Sequence, residues 1–270
     1  MSAKGLVRFV GVRAFLNLKA AYEHRVSFWS QILFMVANNT FLIWFWHLFF
    51  QKFHNVGGWV AQDVYLLNGI SALAFGLANT FAGNAMDLSA LIGDGELDYY
   101  IGLPAPTLLH ALITKVRVSA LGDILFGVSL LWILHSHSPA QFALSLLVTI
   151  PAAIVFVSVI VLSSSLGFFI GESRGLTFQL TNLLVTFATY PESIFEGSVR
   201  WMLYIVIPAG FFSFLPAQVV RTGTDSSLHL LFEMAKTAGG AALFLALSIF
   251  IFQLGMKRYA SGSSLSVRLG

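Results

Sequence analysis

Cysteine is absent from this sequence, and charged residues are scarce. Without cysteine the chain has neither disulfide bonds nor thiolate metal sites, which is compatible with a reducing compartment. Charged residues make up 10% and hydrophobic residues 57% of the 270 residues, and the mean hydropathy is +0.81. A soluble domain carries about 25% charged residues. The composition therefore predicts an all-α polytopic membrane protein, built as a single transmembrane domain over residues 1–270.

Common catalytic motifs are missing as well. The sequence contains no G-x-x-x-x-G-K-[ST], H-E-x-x-H or G-x-S-x-G motif and no cluster of cysteine and histidine. These motifs hold a nucleotide phosphate, a catalytic zinc ion and a serine nucleophile, respectively. The pair His135 and His137 is more typical of a polar turn than of a metal site. The chain is therefore predicted to be no enzyme and to carry no metal or cofactor of its own.

Six apolar runs are candidates for crossing a bilayer. A helix needs about 20 apolar residues to span the hydrocarbon core. The predicted spans cover residues 28–50, 63–86, 108–134, 141–170, 175–190 and 237–256, of which the fifth is short. A further apolar stretch, residues 191–220, predicts two short helices that dip into the outer leaflet, because unpaired irregular backbone cannot face lipid. It is interrupted by Pro191, Gly197, Pro208, Gly210 and Pro216.

The N-terminal segment, residues 1–27, mixes basic and apolar side chains. Its basic residues are Lys4, Arg8, Arg13, Lys19 and Arg25, and they are spread among Leu6, Phe9, Val10, Phe15 and Leu16. This spacing predicts an amphipathic helix that lies on the cytoplasmic leaflet. The alternative is a signal that only orients the chain, and the two interpretations are compatible.

The distribution of lysine and arginine gives the predicted orientation. With the N-terminus inside, the cytoplasmic side carries Lys4, Arg8, Arg13, Lys19, Arg25, Lys115, Arg117, Arg174, Lys257, Arg258 and Arg268. The outside carries Lys52, Arg200, Arg221 and Lys236. Because cytoplasmic loops are enriched in these residues, both termini are predicted to be cytoplasmic.

An acidic insert separates the second and third predicted spans. Its sequence over residues 88–106, LSALIGDGELDYYIGLPAP, mixes acids and tyrosines with leucines and isoleucines. The polar side chains must reach water while the apolar ones pack against the protein. The insert is therefore predicted to be a short cytoplasmic amphipathic segment, which is either a docking site for a partner or an ordinary interfacial loop.

Polar residues recur with helical spacing along two of the predicted spans. Asn68, Ala72, Phe75 and Asn79 share one face of span two, and Gln179, Asn182, Thr186 and Thr189 share one face of span five. Unpartnered polar side chains are costly in hydrocarbon and usually face the protein interior. The two stripes therefore predict either the lining of a transport pathway or hydrogen bonding between the helices of one subunit.

Asp123 is the one carboxylate within the third predicted span. An isolated charge at the centre of a membrane helix costs about 2.5–3.5 kcal/mol on insertion scales. Asp123 should therefore be paired, protonated or solvated. A proton-coupled carrier would use such a group, so a proton-coupled secondary transporter or channel is the alternative prediction for the function.

Four patches of the sequence resemble a known family in their order and spacing. They are YEHRVSFW at the end of the basic N-terminal segment, GELDYYIGLPAPTLLHAL in the insert, YPESIFEGSVRWMLYIVIPAGFFSFLPA in the outer stretch and GMKRYASGSS near the C-terminus. Over nearly its whole length the chain resembles a permease of the type-2 ABC exporter class. The resemblance is to the bacterial branch of six-span permeases that have no fused ATPase domain.

The resemblance implies roles for particular residues. Residues 88–103 would form a coupling helix that docks on a cytoplasmic ATP-binding cassette subunit, two copies of which would bind ATP and Mg. The coupling residues would be Leu91, Asp94, Glu96, Leu97, Asp98, Tyr99 and Tyr100. Spans two and five of two permeases, identical or related, would meet around a cavity that the outer helices close. The outer gate would comprise Pro191, Glu192, Glu196, Pro208 and Pro216.

The resemblance also implies a function and a location. The chain would move an amphipathic or hydrophobic substrate, drug-like, cationic or lipid-like, out of the cytoplasm. It would do so by alternating access, driven by ATP hydrolysis on the separate subunit. Its place would be the bacterial inner membrane, in contact with lipids and without a nucleic-acid partner. The family's pattern names no catalytic residue.

Overall fold

The chain folds as a bundle of helices. The computed structural model describes residues 3–103, 105–222 and 227–259. Helices account for 82% of the residues, and these ranges contain no β-strand. An isolated antiparallel bridge between Val56 and Trp59 closes the loop after the first long helix.

Thirteen α-helices follow one another in the described ranges. The first six are α1 (Ala3–Tyr22), α2 (Arg25–Lys52), α3 (Ala61–Phe81), α4 (Leu88–Gly93), α5 (Asp98–Ile101) and α6 (Thr107–Ile113). The next seven are α7 (Ser119–Leu134), α8 (Pro139–Ser165), α9 (Gly167–Ile170), α10 (Arg174–Ala188), α11 (Gly197–Ile205), α12 (Leu215–Thr222) and α13 (Ser227–Met256). Short 3₁₀ turns lie at Ala85–Asp87 and Glu192–Ile194, and a π-helical turn lies at Gly210–Phe214.

Four helices within the described residues are long and apolar enough to cross a bilayer, namely α2, α3, α8 together with α9, and α13. A fifth span results if α11 and the helical stretch Gly210–Thr222, which are bent by 75°, count as one. The helices α7 and α10 have 16 and 15 residues, fewer than the roughly 20 that cross a hydrocarbon core. The all-helical class is confirmed with four to five candidate membrane spans in the described residues, and the number six stays a prediction.

The third predicted span, residues 108–134, is divided into the two helices α6 and α7. The connecting residues 114–118 are not helical. Their backbone is hydrogen-bonded by other parts of the chain: Asn17 Nδ2 donates to the Thr114 carbonyl oxygen at 3.0 Å, and the Arg117 amide donates to the Asn79 carbonyl oxygen at 3.2 Å. These bonds replace the helical ones that the break removes.

Two other boundaries also differ from those predicted. The N-terminal helix α1 ends at Tyr22 and is followed by a turn, so Arg25 begins α2 instead of ending the predicted segment 1–27. The last span was predicted to begin at residue 237, but α13 begins at Ser227. In this longer helix, Lys236 Nζ lies 2.6 Å from a Glu233 carboxylate oxygen.

The central helix of the bundle is α3. In its most apolar 18-residue window, 72% of the residues are buried, compared with 11% for α2. Its main neighbours are α7 and α8. The helices α3 and α7 approach each other closely at Gly76, where an added Cβ would lie 2.9 Å from the Ala120 carbonyl oxygen. Protein therefore covers most of α3, whereas α2 lies at the periphery.

Charged residues collect at the two ends of the bundle. The insert lies at the same end as the 114–118 stretch and the end of α13, where the Arg258 guanidinium lies 5.1 Å from the Phe169 ring centroid. At the other end, Arg221 Nε binds Asp63 Oδ1 at 2.9 Å. The insert end gathers Arg13, Lys115, Arg117, Arg174 and Arg258.

Candidate functional site

The insert between α3 and α6 contains two short helices, α4 and α5, instead of one continuous coupling helix. The break lies at residues 94–97, where Gly95 has a φ of 75°. This left-handed conformation is strained for any residue with a side chain, which explains the glycine. The Glu96 amide donates to the Leu91 carbonyl oxygen at 3.0 Å and closes the turn.

The insert has one buried and one exposed face. Leu91, Leu97 and Tyr100 are buried, with Leu97 fully so. The side chains of Asp94, Glu96, Asp98 and Tyr99 are exposed, and Tyr99 exposes 66% of its surface. The seven predicted coupling residues therefore divide into an anchor of three residues and a presented acidic face of four. We call the latter, comprising Asp94, Glu96, Asp98 and Tyr99, the acidic face.

Polar contacts fasten the insert to neighbouring helix ends. Asn84 Nδ2 donates to the Ala111 carbonyl oxygen of α6 at 2.7 Å, in a buried bond. Lys115 Nζ lies 2.8 Å from an Asp87 carboxylate oxygen, and Arg174 at the start of α10 binds Asp94. Exposed ion pairs contribute only about 0–1 kcal/mol each. The buried anchor and the buried Asn84 bond therefore hold the insert in place, while the ion pairs set its orientation.

The end of α13 also contacts the insert. Burial, followed by the negative charge of the Asp98 carboxylate, raises the pKa of the Tyr259 phenol. The Tyr259 ring centroid lies 6.1 Å from that of Phe168, which in turn lies 5.6 Å from the ring of Phe252 in α13. The insert is therefore in contact, through Tyr259 and Phe168, with the last long helix.

The N-terminal helix reaches the insert through one side chain of α6. His110 is buried, and its Nε2 lies 3.0 Å from Arg13 Nη2. The ring centroids of Phe9 and Tyr100 lie 5.3 and 5.8 Å from that of His110. His110 is thus packed between α1 and the anchor of the insert. The helix α1 therefore contacts the rest of the protein, in addition to its predicted contact with lipid.

A cavity of about 200 Å³ lies between α2, α3, α7 and α10. It brings together four of the eight residues of the predicted pathway, Asn68, Ala72, Phe75 and Thr189. Asn68 Nδ2 donates to the Val64 carbonyl oxygen at 2.8 Å and approaches that of Thr189 at 3.4 Å. We call this space the Asp123 cavity, because Asp123 lies in its wall.

The other four predicted pathway residues lie outside this cavity. Asn79 is buried on α3, and its Nδ2 donates to the Phe75 carbonyl oxygen at 3.0 Å. Gln179, Asn182 and Thr186 are exposed along α10. The stripe of α3 is therefore inside the subunit, and most of the stripe of α10 is on its surface.

The predicted outer gate is organised around Glu192. One Glu192 carboxylate oxygen accepts hydrogen bonds from Arg200 Nε and from the Tyr204 hydroxyl, both at 2.8 Å. Ser193 Oγ donates to the Val56 carbonyl oxygen at 3.0 Å, which joins this segment to the loop after α2. Of the remaining predicted gate residues, Pro191, Pro208 and Pro216 are buried and Glu196 is exposed.

Sequence reasoning missed two groups of residues. Asn38 and Asn39 of α2 line the Asp123 cavity, and their signal was available as two adjacent amides inside an otherwise apolar run. His110 and Tyr259 were missed at the insert. Both lie within patches that carry the family resemblance, but no local pattern gives their contacts, because these depend on helices far away in the sequence.

Comparison with known proteins gives one match. A family model described as ABC-2 family transporter protein matches residues 34–263. No curated protein and no solved structure gives a significant match to the chain. The matched range includes α3 to α13, with the insert, the Asp123 cavity and the outer segment.

Proposed function

The chain belongs to the ABC-2 family of transporter proteins, and on that premise we propose that it is the six-span permease subunit of a bacterial ABC exporter. Members of the family are the membrane components of transporters and normally work with an ATP-binding subunit. The permease itself is non-catalytic, and ATP and Mg bind to two copies of the separate subunit.

The observation that carries the proposal is the acidic face of the insert. Its side chains project from a segment whose anchor, Leu91, Leu97 and Tyr100, is buried in the bundle. A segment held in this way transmits a displacement instead of absorbing it, since packed interiors are not compressible. The acidic face supplies charge and an aromatic ring to a cytoplasmic partner. Residues 88–103 are therefore the coupling segment, in the form of two short helices.

Transport follows from movement of this segment. When ATP draws the two ATP-binding subunits together, the insert moves with them and displaces the ends of α6, α8, α10 and α13, which it contacts. The bundle then alternates between inward-open and outward-open states. Net transport requires that substrate binds these two states with different affinities. The outer helices with Glu192 close the cavity on the far side.

The exposed stripe of α10 indicates a second permease. Gln179, Asn182 and Thr186 lie on the subunit surface, and polar side chains facing hydrocarbon are costly. A second permease, identical or related, covers them and forms a central pathway with this stripe. The substrate is an amphipathic or hydrophobic molecule, drug-like, cationic or lipid-like.

The charges at the insert end support the proposed location. Because cytoplasmic loops are enriched in lysine and arginine, the basic side chains at this end of the bundle support a cytoplasmic insert. Both termini are then cytoplasmic, and α1 lies against the inner leaflet of the bacterial inner membrane. The partners are the ATP-binding subunit, the second permease and lipids, with no nucleic acid.

The experiment that tests the proposal is affinity purification of the tagged chain from its native membrane in mild detergent. Copurifying proteins are identified by mass spectrometry, and ATPase activity is measured on the eluate. A triple variant, Glu96→Ala with Asp98→Ala and Tyr99→Ala, should lose substrate-stimulated ATPase activity while the permease stays folded. Glu23→Ala removes an exposed acid from the α1–α2 turn and serves as the control. Unchanged stimulation in the triple variant would exclude the insert from coupling.

A proton-coupled secondary transporter is the second candidate, because Asp123 is buried in a membrane helix without an ion pair to any described residue. This function requires flux driven by a proton gradient from the chain alone. Reconstitution of the purified chain in liposomes with an imposed gradient measures that flux. Flux without an ATPase would replace the exporter proposal.

A further inference from the structure

Asp123 presents an unused carboxylate oxygen in the wall of the Asp123 cavity. The residue is 3% exposed. Its Oδ1 accepts a hydrogen bond from Asn39 Nδ2 at 2.7 Å, whereas Oδ2 is buried and has no partner among the described residues. A buried polar atom without a partner costs about 1–3 kcal/mol, and more if charged. A ligand that donates a hydrogen bond to Oδ2 removes this cost.

Several donors of the cavity wall are already bonded within the protein. Asn39 donates to Asp123, and Asn68 donates to the Val64 carbonyl oxygen. Ser71 Oγ donates to the Leu67 carbonyl oxygen at 2.8 Å. The buried atom of this wall that has no partner among the described residues is Asp123 Oδ2, which is an acceptor. A carboxylate oxygen favours a hydrogen-bond donor with positive charge over an anion.

Aromatic rings complete the wall. Phe75, Phe126 and Phe212 line the same cavity, and a phenyl face attracts an ammonium group that lies within about 6 Å. Beside Asp123, α2 and α7 are in close contact: a Cβ at Gly122 would lie 2.6 Å from the Ile32 carbonyl oxygen. The described residues offer no group of three or more His, Cys, Asp or Glu that could hold a metal ion.

We infer that the Asp123 cavity binds a protonated alkylamine group, with its N–H donating to Asp123 Oδ2 and its alkyl carbons against the phenyl rings. The volume of about 200 Å³ is below the roughly 300–1,000 Å³ of pockets that enclose a drug-sized ligand. The cavity therefore takes the cationic head of a substrate, while the remainder extends past Asn38, which is exposed at the rim. This substrate role rests on the proposed transport function, whereas the binding itself does not.

The test is direct binding to the purified full chain in lipid nanodiscs, followed by saturation-transfer NMR. The probe is n-butylammonium chloride, and n-butanol is the neutral probe of similar size. The variants are Asp123→Asn, which keeps the shape and the bond from Asn39, and Phe126→Leu, which removes one ring. Glu23→Gln is the matched acid-to-amide control at an exposed position.

The wild-type chain and Glu23→Gln should bind n-butylammonium saturably, and n-butanol should give no saturable signal. Asp123→Asn should weaken binding by about tenfold or more, because a charged hydrogen bond is lost, and Phe126→Leu should weaken it less. Equal binding by wild type and Asp123→Asn overturns the inference, as does displacement by an equal concentration of sodium chloride.

The outcome of the binding test can be distinguished from the outcome of the test of the proposed function. Binding that depends on Asp123 in a chain that purifies without an ATPase supports the amine site and contradicts the exporter. Copurification of an ATPase without amine binding supports the exporter and overturns the amine site.

Discussion

The polar stripes of α3 and α10 both follow helical spacing but have opposite surroundings. Asn68 and Asn79 of α3 are buried, and their amides donate to backbone carbonyl oxygens. Asn182 and Thr186 of α10 are exposed on the outside of the subunit. The amides of the buried stripe bond to carbonyl oxygens one turn earlier in α3, whereas the exposed stripe lies on the surface of the subunit. Helical spacing of polar residues therefore does not tell whether the stripe is buried within the subunit or lies on its surface. The neighbouring helices decide this.

The largest difference between α3 and α10 is expected in protein stability, when one glycine of each helix is replaced by alanine. At Gly76 of α3, a Cβ would lie 2.7 Å from Ile124 and 2.9 Å from the Ala120 carbonyl oxygen, whereas at Gly175 of α10 nothing lies within 4 Å. Gly76→Ala should lower stability by about 1–3 kcal/mol through overpacking, and Gly175→Ala should not lower it. Thermal unfolding in detergent measures both. Equal stability of the two variants would contradict the close α3–α7 contact.

The next largest effect is expected on export, when one residue of each stripe is replaced by tryptophan to test whether the stripe lines the transport pathway. Asn182→Trp on the exposed stripe should reduce export several-fold without unfolding the subunit, because in the proposed pair of permeases the indole would fill the space between them. Phe75→Trp should also reduce export, since Phe75 lines the Asp123 cavity and its ring lies 5.1 Å from that of Phe156.

Leu243→Trp is the control for the Asn182 variant, because Leu243 is 64% exposed on α13 and a tryptophan there faces lipid. Transport in inverted vesicles and recovery of the intact complex are measured together. If Asn182→Trp exports as well as Leu243→Trp, the stripe of α10 faces lipid and not a pathway.

The smallest effect is expected from removing one amide from each stripe. Asn68→Ala removes the donor to Val64 and the longer contact to Thr189, and interhelical hydrogen bonds in membranes average about 0.6 kcal/mol. Asn182→Ala should leave the stability of the isolated subunit unchanged. Chemical unfolding of both variants in mixed micelles resolves the difference. A loss at Asn182 as large as at Asn68 would mean that both stripes are internal.

Much of the fold was predictable from the sequence, and the site only partly. The apolar runs that became α2, α3, α8 and α13 were found because hydropathy is a local property. The break at residues 114–118 was missed, because bonds from Asn17 and to Asn79 replace the helical ones. The acids of the insert were predicted as a group, because they are adjacent in the sequence. The turn of the insert at Gly95 and its contact with Tyr259 were not predicted.

Composition and periodicity determined by themselves that the chain is a helical membrane protein, which faces of its helices are polar, and where an acidic segment interrupts them. Periodicity fixes a side chain relative to its own helix axis and says nothing about the helix opposite. Only the tertiary structure decided that Asn39 bonds Asp123 across a separation of 84 residues. For the same reason, only packing could bury the stripe of α3 and leave that of α10 exposed.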